Sequence, residues 1–102
     1  MIDRELLELA AKSINLPGTW VEGFGYRVDC EEPYFWNPLT DDGEAFGLAV
    51  DLEFDLALHE GRSGAFLLRG EIEAYEPHND TPYAATHRAI VRAAAEIGKG
   101  MK

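Results

Sequence analysis

The apolar positions of this chain fall into three stretches of helical spacing, separated by two stretches in which apolar and polar residues alternate. Leu6, Leu7, Ala10, Ala11 and Ile14 recur at threes and fours. That spacing predicts a first helix capped by Asp3 and running to about Asn15. Asn15-Leu16-Pro17-Gly18 stops it, because proline cannot continue the hydrogen-bond ladder and Asn or Gly takes the left-handed conformation that closes a helix. "TWVEGFGYRVD" then alternates weakly, with Trp20, Glu22, Phe24, Tyr26 and Val28 to one side, and reads as a strand that is bulged or twisted at Gly23 and Gly25. A second short strand, "PYFW" at 33–36, is expected to pair with it across "DCEE".

The next helix is announced by its punctuation. Asn37-Pro38 is a turn signal, since the residue before a proline is pushed out of the helical region. Asp41 precedes Glu44 by three positions, the spacing of a capping box, and acids at a helix start favour the macrodipole. Ala45, Phe46, Leu48, Ala49, Val50 and Leu52 then form an apolar stripe for a helix ending near Glu53. "FDLALH" at 54–59 alternates strictly, with Phe54, Leu56 and Leu58 opposite Asp55, Ala57 and His59. After the turn "EGRSG", "FLLRGEIEAYE" places Phe66, Leu68, Ile72 and Ala74 opposite Arg69, Glu71 and Glu73, so the two segments predict an antiparallel hairpin with one wet side. Thr81 followed by Pro82 opens a last helix with Tyr83, His87, Ile90, Ala94 and Ile97 on its stripe, flanked by Ala84 and Val91 and ended by Gly98 and Gly100. The order helix, one or two strands, helix, two strands, helix predicts a single α+β domain over residues 1–102, with helices packed on a small antiparallel sheet.

Composition supports a folded domain: 46% of residues are hydrophobic and 11% aromatic, enough to offset chain entropy. The net charge is −10, and it is unevenly spread. Residues 21–60 hold eleven acids and one base, Arg27, whereas residues 81–102 hold one acid and four bases. A phosphate backbone is bound by clustered Lys and Arg, so direct binding of nucleic acid is not expected. The longest apolar run falls far short of the ~20 residues a bilayer needs. Asp3, Glu5 and Glu8 stand where a secretion signal would carry a basic and then an apolar stretch. With one cysteine, no disulfide closes within the chain. A cytoplasmic location is expected, with no membrane partner.

Candidate chemistry is sparse. Asp41, Asp42 and Glu44 are the kind of hard oxygen ligands that magnesium or calcium takes, but the alternating pattern of a calcium loop is missing and helix capping accounts for them. His59, His78 and His87 are separated by nineteen and nine residues without metal-ligand spacing, so no metal or other cofactor is expected. His87 lies on an apolar stripe, where histidine is usually a core residue bonded to a neighbour, although one imidazole with a partner in space is all a general base requires. Cys30 between Asp29 and Glu31 is a poor nucleophile candidate, and Ser13 and Ser63 lie in no nucleophile elbow. No phosphate loop is present, and no catalytic residue is assigned.

"FWNPLTDDGEAFGLAV" at 35–50 and "TPYAATHRAIVRAAAEIG" at 81–98 resemble blocks of small uncharacterised bacteriophage and prophage proteins similar to the NinX-type domain of unknown function. The blocks cover 34 residues. The resemblance implies a phage or prophage origin, a bacterial cytoplasm and a small accessory role, and it carries over no activity. The leading expectation is a non-enzymatic acidic module that binds a host or phage protein through Tyr34, Trp36, Asn37, Asp41, Asp42 and Glu44, one variant of it being mimicry of nucleic acid by the acidic surface. Two rivals stand beside it. One is a small metal-dependent hydrolase or nuclease-like enzyme using Asp41, Asp42 and Glu44, with His87 beside them; the other is an assembly subunit that forms a homodimer through a strand edge or helix face.

Overall fold

A computed structural model describes residues 2–67 and 72–101. It contains α1 (Asp3–Ser13), β1 (Gly18–Val21), β2 (Gly25–Val28), β3 (Phe35–Trp36), α2 (Asp42–Asp51), β4 (Asp55–His59), β5 (Arg62–Phe66), β6 (Glu73–Pro77) and α3 (Pro82–Lys99). The class is α+β, and helices alternate with groups of strands as the sequence predicts. Each group forms its own antiparallel sheet, in the orders β1-β2-β3 and β4-β5-β6.

α3 is the hub. It packs along α1, against α2 and over β5 and β6. Ala85, His87, Ala89, Ile90, Val91, Ala93, Ala94, Ala95 and Gly98 are all buried, more of the circumference than one stripe supplies, and the small side chains let the neighbouring elements close in. Gly98 lies inside the helix and does not end it. A Cβ there would stand 1.9 Å from the Leu9 carbonyl oxygen, so the missing side chain is what lets α1 and α3 touch. Thr81 caps the helix as expected, its hydroxyl accepting from the Ala84 N–H at 2.9 Å, and Pro82 fills the first turn.

α1 starts differently from the sequence reading. Its N-cap is Ile2, with no side-chain cap bond, and Asp3 sits in the first turn, where its charge still suits the helix dipole. Asn15 takes φ 54 and closes the helix as predicted. The weakly alternating stretch after it is a hairpin and not one bulged strand: Gly23 and Gly25, at φ 84 and 116, turn β1 back onto β2, so that Trp20 faces Tyr26. The expected pairing with "PYFW" is present, Tyr26 opposite Trp36 and Arg27 opposite Phe35.

In the second sheet the chain reverses earlier than predicted. Gly61, at φ 89, turns it at Glu60-Gly61, so "RSGAF" is itself a strand and β6 comes third. The expected faces of Leu68, Arg69 and Glu71 lie outside the described residues. Register places Leu58, Ser63 and Glu76 on one face together with Leu56, Ala65 and Ala74. α3 covers that face over β5 and β6, and β4 overhangs it. On the opposite face the Tyr75 ring lies where a Gly64 side chain would be, with Phe66 stacked at 6.5 Å and the Arg62 guanidinium 4.9 Å from the Tyr75 ring centre. Among the described residues no helix is long and apolar enough to cross a membrane.

Candidate functional site

The overhang of β4 opens a groove of about 900 Å³ between α2, α3 and the second sheet. Each wall is one face of an element. Asp42, Ala45 and Phe46 on α2 stand three and four apart, as do Tyr83, Thr86, His87 and Ile90 on α3, while Leu56 and Leu58 project from β4. The rings and leucines at its mouth are open to solvent: Phe46 is 65% exposed, Leu58 68% and Tyr83 70%. Monomeric proteins seldom leave apolar side chains of this size grouped in the open. Among the described residues no Lys or Arg lines the groove, whereas Asp42 and Glu60 do.

All three histidines of the chain reach this groove. His87 is buried and bonded at both ring nitrogens, Nδ1 to the Leu39 carbonyl at 3.1 Å and Nε2 to Asp42 Oδ1 at 2.5 Å. A backbone carbonyl only accepts, so the two bonds form together with the carboxylate when each nitrogen carries a proton. The imidazole thus fastens α3 to the start of α2.

His78 meets Ser63, a pairing that invites a nucleophilic reading. Ser63 Oγ lies 2.8 Å from His78 Nε2 and 2.8 Å from Thr86 Oγ1, and Thr86 Oγ1 lies 2.7 Å from the Pro82 carbonyl. Thr86 has one proton and two acceptors in reach, the Pro82 carbonyl and Ser63 Oγ; all three bonds form at once when that proton goes to Pro82, Ser63 donates to Thr86 and the His78 Nε2–H donates to Ser63. That order is the reverse of the one in which an imidazole accepts the hydroxyl proton of an attacking serine. Ser63 is also 1% exposed. The chain of bonds joins β5, α3 and the loop after β6.

The acids at residues 41, 42 and 44 separate in space. Asp41 caps α2, its Oδ1 accepting from the Glu44 N–H at 2.8 Å, as the capping-box spacing predicts. Asp42 turns to His87. Glu44 does not return to the cap residue; its Oε1 accepts from the Asn37 N–H at 2.8 Å and ties the preceding turn to the helix. Burial raises the Glu44 carboxyl above its ordinary 4.5, the Asn37 N–H opposing and the Asp41 charge adding to the rise. Among the described residues no group of three or more His, Cys, Asp or Glu side chains is placed to hold a metal ion.

The aromatic part of the expected site is divided as well. Trp36 is 5% exposed and meets the Tyr26 ring edge-on at 5.9 Å, so it belongs to the core. Tyr34 and Phe35 remain open, and Phe35 stacks on the exposed Phe24 at 5.9 Å. The Asn37 side chain accepts from the Leu39 N–H at 3.1 Å within its own turn.

A signal for the groove was present in the sequence. On α2, Ala45, Leu48, Ala49 and Leu52 form one stripe by themselves, which leaves Phe46 and Val50, four apart, on a different face. The structure buries Ala45, Leu48 and Ala49 and exposes Phe46 and Val50. The chain matches no family model, no curated protein and no solved structure.

Proposed function

We propose that this chain is a phage or prophage accessory protein of the bacterial cytoplasm that works by binding a host or phage protein, and that the groove between α2, α3 and β4 is the docking surface. The observation that carries this reading is the grouping of Phe46, Leu56, Leu58 and Tyr83 in the open around a groove in which Asp42 bonds to His87 and Ser63 to His78 and Thr86. A partner that fits presents apolar side chains flanked by Lys or Arg, because the charged residues lining the groove are acidic. The exposed rings Tyr34 and Phe35, set among Asp29, Glu31 and Glu32, extend the acidic character to the far sheet. The same charge argues against direct contact with nucleic acid and leaves mimicry of it as one way of attracting a basic partner.

The rival reading, a metal-dependent hydrolase or nuclease-like enzyme, draws less support, since Asp41, Asp42 and Glu44 bond in three different directions.

A photoreactive amino acid placed at position 46, and in a separate variant at position 34, tests the proposal in the bacterial host. The expected result is a discrete protein adduct from position 46 that disappears when Leu58→Lys is added and weakens as salt is raised in the extract. Adducts from position 34 alone, or adducts at 46 indifferent to Leu58→Lys, would overturn the groove as the docking surface.

A further inference from the structure

Among the described residues the outer edge of β4 pairs with no other strand, and the residues along it are complementary to themselves. Glu60 and Gly61 form a two-residue turn that pairs His59 with Arg62. Counting back along the ladder, His59, Ala57 and Asp55 direct their backbone N–H and C=O groups toward β5, and Leu58 and Leu56 direct theirs outward. Two independent features agree with this parity. The Leu67 N–H bonds to the Ile72 carbonyl at 3.0 Å, which gives the odd-numbered residues of the β5 segment to β6. Pro77, which has no N–H, faces Arg62, a residue that bonds toward β4. Among the described residues, no other backbone bond reaches Leu56 or Leu58. Asp55, Leu56, Leu58 and His59 are exposed, and α3 leaves this strand uncovered.

The sequence Asp55-Leu56-Ala57-Leu58-His59 reads as its own antiparallel partner about Ala57. Set against a second copy, Leu56 meets Leu58 of the other chain with both exchanging N–H and C=O bonds. Ala57 meets Ala57, and Asp55 meets His59, an acid opposite an imidazole. The pleat continues without a slip, so the leucines of both copies lie on the helix-bearing face and the Asp–His pairs on the other. We propose that two copies of this chain pair through β4 about a two-fold axis, joining the two three-stranded sheets into one of six strands. Such an interface uses the same strand on both sides, as a closed two-fold dimer requires, and it removes the edge that would otherwise recruit other chains. Leu56 and Leu58 of each copy then border both its own groove and the seam, so the charge pair Asp55 and His59, on the face opposite the leucines, separates pairing from partner binding.

Sedimentation velocity across about two decades of concentration, from roughly 10 µM to roughly 1 mM, tests it. The expected result is a species of twice the 11.3 kDa chain mass that gains population with concentration and with added salt, because salt screens the repulsion between two chains of net charge −10. This is the opposite salt response from that expected for a basic partner in the groove. Leu58→Pro removes only an outward N–H and is compatible with an edge strand, and Leu58→Lys places a charge there; each is expected to hold the protein as a folded monomer by circular dichroism at the highest concentration. Asp55→Lys weakens pairing by placing Lys against His59, and the double variant Asp55→Lys with His59→Asp restores it. A protein that stays monomeric throughout, a dimer indifferent to Leu58→Lys and Leu58→Pro, or a double charge variant no better than Asp55→Lys would each overturn the proposal.

Discussion

The two sheets of this protein are alike in strand number and antiparallel pairing and differ in what they do with their large apolar residues. In β1-β2-β3 the rings of Tyr26 and Trp36 face each other and turn inward with Val28, at 6%, 5% and 3% exposure, and α1 closes over β1 and β2. In β4-β5-β6 the central strand is buried through the small residues Ser63, Gly64 and Ala65, while the leucines are displaced to an overhanging edge. The first sheet puts Tyr26, Val28 and Trp36 into the core and leaves Phe35 outside it. The other folds on small residues and leaves its bulk free. The difference separates what holds the molecule together from what it offers to others, and single substitutions can test that separation.

The largest effect belongs to the closed sheet. Trp36→Ala is expected to destabilise by about 3–5 kcal/mol in urea unfolding, the cost of truncating a large core ring, whereas Tyr34→Ala two residues away changes stability by less than about 0.5 kcal/mol. Equal small losses at both positions would place Trp36 outside the core. Next is Gly98→Ala, which drives a methyl group into the Leu9 carbonyl and separates α1 from α3; the expected loss is about 3 kcal/mol, with the opposite sign from the usual gain when Ala replaces Gly in a helix.

Ser63→Ala probes the open side from beneath. Removing the hydroxyl leaves His78 and Thr86 without their shared partner, and a loss of about 1–2 kcal/mol is expected in the same unfolding measurement. If Ser63 were a reactive group held in readiness, its removal would leave stability unchanged or raise it.

A smaller effect is electrostatic. With its carboxyl raised by burial, Glu44 in the fold keeps its proton to a higher pH than in the unfolded chain, so between the two values the fold binds more protons. The stabilisation from this group is complete below about 4.5 and is lost as pH rises through the raised value. Glu44→Gln is therefore expected to be at least as stable as the parent at neutral pH and to flatten the decline of stability with pH just above that range. A variant markedly weaker at neutral pH would show that the carboxylate bond to the Asn37 N–H dominates.

The sequence reading was strongest where one physical requirement acts on one residue. Asp41 and Thr81 cap their helices because a side-chain oxygen beside a free N–H has a local use, and Asn15 closes α1 because it tolerates φ 54. It failed where a residue type serves two purposes. Gly98 resembled a helix stop, yet it marks the close approach of another backbone, which only the fold reveals. Gly23 and Gly25 resembled a bulge and make a turn. "RSGAF" lacks the β-branched signature of a strand because its place under α3 demands small residues. For the site, the crowding of rings and acids at 34–44 drew attention to residues whose side chains are largely committed to the core, a cap and a turn. The groove drew none, because its residues come from four separate segments and each looked like part of a core stripe.

The most direct test of the separation between fold and surface is equilibrium urea unfolding of the triple variant Phe46→Ser, Leu58→Ser, Tyr83→Ser. With all three side chains already open to water, the variant is expected to unfold within about 1 kcal/mol of the parent and with the same slope against urea. A loss of several kcal/mol, or a changed slope, would mean that these residues belong to the core, and the groove would not be a surface held ready for a partner.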